Sequence, residues 1–421
     1  MKRLLIVIAT LALPLVLYPQ QNLKNTYLKV PVVDLDGETN RQVVVDRQEG
    51  QYLGHVTTVL LDDRKTILAV YPKGHGRGEI VMKKSTDGGL SWSDRLPVPD
   101  NWKTSREVPT IFKVSDNTGK ERFILFSGLY PARLAVSVDQ GNSWSGLSEA
   151  GSWGGIVVMS SIVQLNTGNG HYMALFHDDL RFFTADGESV YNADKEKNEK
   201  RLFTLYKSFS RDGGLTWSSP EAILSDREMN LCEPGAIRSP DGKTIAVLLR
   251  ENSRRYNSQI IFSGDEGQTF TNPRPLPAEL NGDRHTLKYT KDGRILVVFR
   301  DISPAPFRKD LEKTASERKE VNLGKVALET GQGSPTEGDW VGWVGTWDDL
   351  VKGTPGQYRI RFKDNIHGWD CCYPGVELLK DGTFVVITYG HWDKEKEPYI
   401  LAVRFKMKEL DKKYNKVKAV Q

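Results

Sequence analysis

Six positions along the chain pair chemically active side chains with one shared local context. His55, Glu107, Met159 (beside Ser160), Glu233, His285 and Tyr373 each open an apolar, β-prone run, at spacings of 52, 52, 74, 52 and 88 residues. Most of these are titratable or hydrogen-bonding groups, at a place where a purely structural strand would favour Val or Ile. A phenol and a carboxylate within such a set suggest a definite chemistry. A phenol with pKa about 10 is a poor nucleophile at neutral pH, but a carboxylate can take its proton as it attacks. A second set closes the next run of each unit: Lys73, His177 with Asp178, Arg250, Arg300 and His391. Guanidinium groups bind carboxylates through two parallel bonds, and an imidazole titrates near neutrality, as a general acid must.

These side chains meet only if the elements carrying them repeat around a common axis. The repeat is visible. Each unit has an apolar strand, a turn and a second strand, as in Glu233–Ile237, the turn Asp241-Gly242 and Thr244–Arg250. Four units continue into an octet of the form Ser-x-Asp-x-Gly-x-Ser/Thr-Trp/Phe: Ser85–Trp92, Ser137–Trp144, Ser210–Trp217 and Ser263–Phe270. Asp bonds its own backbone two residues on and Gly accepts positive φ, so each octet predicts a hairpin turn pinned by its aromatic ring. Its aspartates (Asp87, Asp139, Asp212, Asp265) are expected to be structural. Six units of about four strands predict an all-β, six-bladed β-propeller with these hairpins. In that architecture the first strand of each blade lines the central channel, and the six positions ring one mouth. The segment 27–48 is expected to complete the last blade. Insertions around 185–200 and 310–337 are polar and expected to be surface loops.

The bulk properties narrow the remaining possibilities. The chain has 421 residues and a net charge of +4. That balance, with no Lys/Arg block, argues against nucleic acid as a partner. Met1-Lys2-Arg3 and the apolar run Leu4–Leu17 read as a signal peptide over residues 1–20, and no longer apolar run follows. The expectation is an exported protein, secreted or periplasmic, monomeric and not inserted in a membrane. The propeller is placed at 22–406 and a polar tail or short helix at 407–421. The three cysteines, Cys232, Cys371 and Cys372, are expected to be buried or unpaired thiols. No His/Cys/Asp cluster has metal-ligand spacing and no phosphate-binding loop follows a strand, so no metal or cofactor is expected.

The four octets resemble the Asp boxes, or BNR repeats, of the sialidase (neuraminidase) superfamily. The resemblance implies an exo-acting glycoside hydrolase that removes a terminal acidic sugar, sialic acid or a related one, from a glycan. In that superfamily a Tyr nucleophile, activated by Glu, replaces the usual pair of carboxylates. By position, Tyr373 in Tyr373-Pro374-Gly375 resembles the nucleophile and Glu233 in Cys232-Glu233-Pro234-Gly235 its activating base. Arg250 and Arg300 resemble two of the three arginines that bind the sugar carboxylate, and Glu107 resembles an acidic residue lining the site. Two family features are missing. The Arg-Ile-Pro motif is replaced by Gly54-His55-Val56, and the acid/base Asp is not evident in Tyr71–Arg77. His75 is therefore assigned the acid's role. Lys73, His55, His285, His177 and Asp178 are assigned to substrate binding. Alternatives compatible with the same residues are a hydrolase or lyase for another acidic glycan, and a non-catalytic glycan-binding propeller.

Overall fold

The computed structural model describes residues 27–190, 202–320 and 322–418; the expected signal segment and part of the first insertion lie outside them. Six sheets form a six-bladed β-propeller. Blade one is Thr57–Leu60, Ile67–Pro72 and Ile80–Ser85. Blade two begins with Thr110–Ser115 and Glu121–Ser127, and blade three with Ile156–Gln164 and Tyr172–Asp178. Blade four begins with Leu231–Arg238 and Ile245–Glu251, and blade five with Gly282–Tyr289 and Ile295–Asp301. Blade six begins with Gly375–Leu378 and Thr383–Gly390. The first strand of each blade touches the first strands of its two neighbours, and blade six touches blade one, so the ring is closed.

The second strands are sandwiched between neighbouring blades. Ile67–Pro72 and Thr383–Gly390 are buried at every position, which is why the sequence shows unbroken apolar runs there and not alternation. Neighbouring blades approach closely at the axis. A Cβ on Gly235, in the innermost strand of blade four, would lie 2.1 Å from the carbonyl oxygen of His285 in blade five. Only glycine admits that approach.

The octets follow the third strands of the first four blades, at the end opposite the expected mouth. In blade three, Asp178 pairs with Thr204 and Tyr172 with Ser210, so the octet starting at Ser210 lies at the far end. The Asp212 carboxylate accepts hydrogen bonds from Ser210 Oγ (2.9 Å), the Leu215 and Thr216 N–H groups (3.0 and 3.1 Å) and Thr216 Oγ1 (2.6 Å). Gly213 and Gly214 have φ of 72° and 80°, and the Trp217 indole N–H closes back onto the Gly214 carbonyl at 2.9 Å.

Two expectations are corrected. The N-terminal segment divides between two blades. Gln42–Asp46 pairs antiparallel with Tyr399–Lys406 and completes blade six, but Val32–Asp34 runs parallel to Tyr358–Lys363 as a fifth strand of blade five. The second insertion is also more than a surface loop. It contains helices α1 (Ala305–Arg318) and α2 (Leu323–Thr330), which bury Leu311, Ala315, Val326 and Ala327 against each other. A short helix α3 (Trp347–Lys352) follows, and the C-terminal segment forms α4 (Met407–Lys418), anchored by buried Met407 and Leu410. Among the described residues, no helix is long and apolar enough to cross a membrane.

Candidate active site

The innermost strands enter the channel through backbone irregularities. Pairing between first and second strands shifts register between Cys232 and Gly235 in blade four, and between Asp283 and Thr286 in blade five. Non-glycine residues take positive φ at these places: His55 (54°), Met159 (54°), Glu233 (48°), Arg284 (56°) and Cys372 (73°). Such conformations cost roughly 1–3 kcal/mol each and persist where the surrounding fold imposes them. In blades three, four and five the bulge leaves a residue out of strand alternation, available to the channel.

Tyr373 and Glu233, 140 residues apart in sequence, meet here. Tyr373 Oη donates to Glu233 Oε1 at 2.5 Å, and Arg250 Nη1 donates to the same oxygen at 2.8 Å. Glu233 Oε2 is buried with no protein partner. Burial alone would raise the Glu233 pKa, but the Arg250 guanidinium outweighs it and holds the carboxyl at about 2. Burial, and then the Glu233 charge, push the Tyr373 phenol well above its ordinary value. The resting pair is therefore a neutral phenol hydrogen-bonded to a carboxylate. Arg284 lies over the phenol ring, its guanidinium carbon 5.4 Å from the centroid, and its Nη2 donates to the Ser160 carbonyl at 2.9 Å.

Arg250 continues the network. Its Nε lies 3.1 Å from Asp283 Oδ1 and its Nη2 donates to Asn252 Oδ1 at 2.6 Å. Asp283 also receives Arg254 through both terminal nitrogens, with Nη2 at 2.7 Å from Oδ2, and Arg300 through Nε (3.1 Å) and Nη2. Burial opposes ionisation of Asp283, but the three arginines hold its pKa well below the usual range.

A second cluster adjoins the phenol. The His55 ring lies 4.3 Å from the Tyr373 ring, 4.7 Å from His75 and 4.7 Å from Tyr389 (centroid to centroid). His55 Nδ1 accepts from the Gly76 N–H at 3.0 Å, which leaves Nε2–H to face Tyr389 Oη at 3.3 Å. Burial pushes the His55 pKa down to about 3, so it is neutral. Tyr389 Oη donates to Asp370 (3.1 Å), as does Tyr52 Oη (2.9 Å), while His75 Nε2 and His391 Nε2 lie at 3.1 and 3.2 Å from the same carboxylate. The hydrogen bond to Asp370 raises the His75 pKa. Burial opposes the Asp370 charge, but the bonds from His391 and His75 hold its carboxyl far below the usual range. His75 is largely solvent-facing, so an exposed imidazole held by a buried carboxylate packs edge-on against His55, the ring that adjoins the phenol.

The structure brings Tyr373, Glu233, Arg250, Arg300, His55 and His75 to one mouth of the channel. Glu107 is close by: a Cβ on Gly76 would be 3.9 Å from both Glu107 Oε1 and His55 Cε1. Its carboxylate accepts from the N–H groups of Val108 and Val157 (both 3.0 Å), tying blade two to blade three, and burial raises its pKa. His177 is buried, stacked on Phe203, with Nδ1 3.5 Å from the Glu233 N–H; burial lowers its pKa to about 4. Three expected contacts are placed elsewhere. Lys73 is paired with Glu79 at 2.9 Å within its own hairpin. Asp178 accepts the Phe182 and Phe183 N–H groups and organises the loop after its strand. His285 is one residue out of phase, because Asp283 opposes Arg300 as Cys232 opposes Arg250, which makes Arg284 the counterpart of Glu233. The His285 ring stacks on Phe299, and Nε2 bonds the Leu280 carbonyl at 2.9 Å.

Asp283, Arg254, Arg284 and Asp370 were not among the expected site residues. Asp283 and Arg284 sit two residues and one residue before His285, so a repeat alignment allowing a bulge would have found them. Arg254 and Asp370 lie in loops with no periodic signal.

Comparison with known proteins places the chain. A search of curated proteins gives no match. Among solved structures, a protein of unknown function from Dyadobacter fermentans superposes with a TM-score of 0.61 at 14% identity, covering 86% of this chain and 97% of that one. An α-L-arabinofuranosidase from Fusarium graminearum gives 0.57 at 12% identity, covering 88% and 98%. A leech intramolecular trans-sialidase gives 0.55 at 12% identity, covering 87% and 70%. The model of the BNR repeat-like domain matches residues 95–386, more than half of the sequence, and the chain belongs to that family.

Proposed function

We propose that this protein is an exo-acting glycoside hydrolase in which Tyr373 is the nucleophile, Glu233 its base and His75, held by Asp370, the acid. The observation that carries this reading is the 2.5 Å hydrogen bond from Tyr373 Oη to Glu233 Oε1, with both groups buried in the channel mouth. In the first step the phenol oxygen bonds the anomeric carbon while the bond to the leaving oxygen breaks. The phenol proton passes to Glu233, and His75 protonates the leaving oxygen. In the second step His75 takes a proton from water, the water oxygen attacks the anomeric carbon, and the phenol oxygen leaves and recovers its proton from Glu233. Because the resting Glu233 is a weak base, its proton transfer must accompany bond formation. As the phenol oxygen gives up charge to carbon, its proton becomes acidic enough to move. The recessed position of Tyr373 favours the end of a glycan over its interior.

The neighbours named above carry the fold with activities toward sialosides and arabinofuranosides, so the fold by itself does not select the sugar. The acidic terminal sugar expected from sequence depends on arginines available to a carboxylate. Arg250 and Arg300, assigned that role, are both engaged with carboxylates of the chain itself. The test is a panel of fluorogenic glycosides, neutral and acidic, in both anomeric forms, with Tyr373→Phe as control. Turnover lost in that variant supports the reading. A wild type inactive on the whole panel, or a variant as active as wild type, sinks it.

A further inference from the structure

We propose that Asp283 fills the place where a substrate carboxylate would bind, so that the sugar accepted at the reactive centre is uncharged. This rests on the hydrolase reading above for its substrate class and deepens it. Three guanidinium groups, from the second strand of blade four, the loop after it and the second strand of blade five, converge on one carboxylate, which Arg250 joins to the Tyr373–Glu233 pair. That is the geometry of a carboxylate receptor. The carboxylate it holds belongs to the chain.

The donor inventory leaves little for a second anion. Arg250 gives Nη1 to Glu233 and Nη2 to Asn252, and its Nε, buried and without a hydrogen-bond partner, lies 3.1 Å from Asp283 Oδ1 as an ion pair. Arg254 grips Asp283 through both terminal nitrogens. Arg300 gives Nε and Nη2 to Asp283 and Nη1 to the Cys371 carbonyl at 3.3 Å. Asp283 cannot swing away to make room. It is 1% exposed, and it lies in the innermost strand, paired with Arg300 at the edge of the bulge. An incoming carboxylate would meet Asp283 and Glu233 as like charges in a poorly solvated recess. Arg284, also at the mouth, is 5% exposed, laid on the Tyr373 ring and bonded to Ser160, as a wall of the channel.

Two measurements decide the matter. The first compares kcat/KM on 4-methylumbelliferyl α-sialoside and β-glucuronide with that on neutral hexosides and pentosides. At least one neutral substrate is expected to exceed every acidic one by a hundredfold or more. The second uses free N-acetylneuraminate, glucuronate and glucose as equilibrium ligands for wild type, Asp283→Ala and Arg254→Ala. Wild type is expected not to prefer the acids. Asp283→Ala, with its receptor vacated, is expected to gain at least tenfold for glucuronate and to be stabilised by added acetate, which leaves wild type unmoved. If Asp283→Ala fails to fold even in acetate, wild type and Arg254→Ala still decide. Tenfold tighter binding of an acid than of glucose by wild type, lost in Arg254→Ala, overturns the proposal. So does preferred turnover of an acidic glycoside, which would leave the hydrolase reading standing. Inactivity on every glycoside, with the binding contrast as expected, fails the hydrolase reading alone.

Discussion

Replacing Tyr373 by Phe and Glu233 by Gln, singly and together, tests whether the two side chains act as one unit. Tyr373→Phe removes one of the two donors on Glu233 Oε1. Arg250 remains at 2.8 Å, so the carboxylate stays paired and the stability loss is that of one hydrogen bond to a charged group, about 1.5–3 kcal/mol. Glu233→Gln instead removes a charge from a buried pair. Breaking such a pair costs roughly 3–5 kcal/mol, and Arg250 keeps Asp283, which places this case near the lower figure. On rate, loss of the base is expected to lower kcat by about 10²–10⁴-fold. Loss of the nucleophile should cost at least as much. Because Glu233 works through the phenol, the double variant is expected to be no slower than Tyr373→Phe alone. The assay is initial-rate hydrolysis of the best fluorogenic substrate, with denaturant unfolding to confirm folded protein. A double variant slowed by the product of the single effects would refute a shared role, and a Tyr373→Phe enzyme within tenfold of wild type would refute the nucleophile.

Three further outcomes are expected. His75 is the acid only while protonated, and Asp370 raises its pKa, so kcat/KM should hold past the ordinary imidazole range of about 6.5 and fall as pH climbs through the raised value; Asp370→Asn should move that falling limb to lower pH, and an unmoved limb counts against the pair. Trp369 is 55% exposed, beside Asp370 in sequence, and stacks on His367 (centroids 5.7 Å), which stacks on His391 (4.2 Å); Trp369→Ala should raise KM for oligosaccharides several-fold with little effect on aryl monosaccharides, and equal effects on both would exclude a platform for the leaving sugar. Hydrogen bonds within the octets hold Asp87, Asp139 and Asp265 at about 2 and also lower Asp212, with burial opposing at Asp87 and Asp212. A lowered folded pKa gives stability that is present above the unfolded value of about 4 and lost as pH falls toward the folded one. Acid unfolding midpoints should therefore shift less in Asp212→Asn than in wild type between pH 4 and 2, while kcat at neutral pH stays unchanged; a kcat loss would place the octet in the catalytic machinery.

The sequence alone determined the repeat and much of what the repeat implies. Turn chemistry in the octets is local: Asp212, Gly214 and Thr216 satisfy one another within a few residues, so the pattern survives in one dimension. The apolar second strands are equally legible, since burial on both faces demands unbroken runs such as Ile295–Phe299. From these the six blades follow, and matching phase along the blades placed Tyr373, Glu233, Arg250 and Arg300 at one mouth. Tertiary structure decided the rest, because it turned on single-residue register and on partners far apart in the chain. A bulge carries an unpaired residue that periodicity does not count, so His285 went to the blade interior and Arg284 to the channel. Arg254 and Asp370 stand on loops, where position depends on what the blades beneath hold in place. The arginines were legible as arginines, but only the folded chain puts Asp283 between them, and with it the choice of what the site can bind.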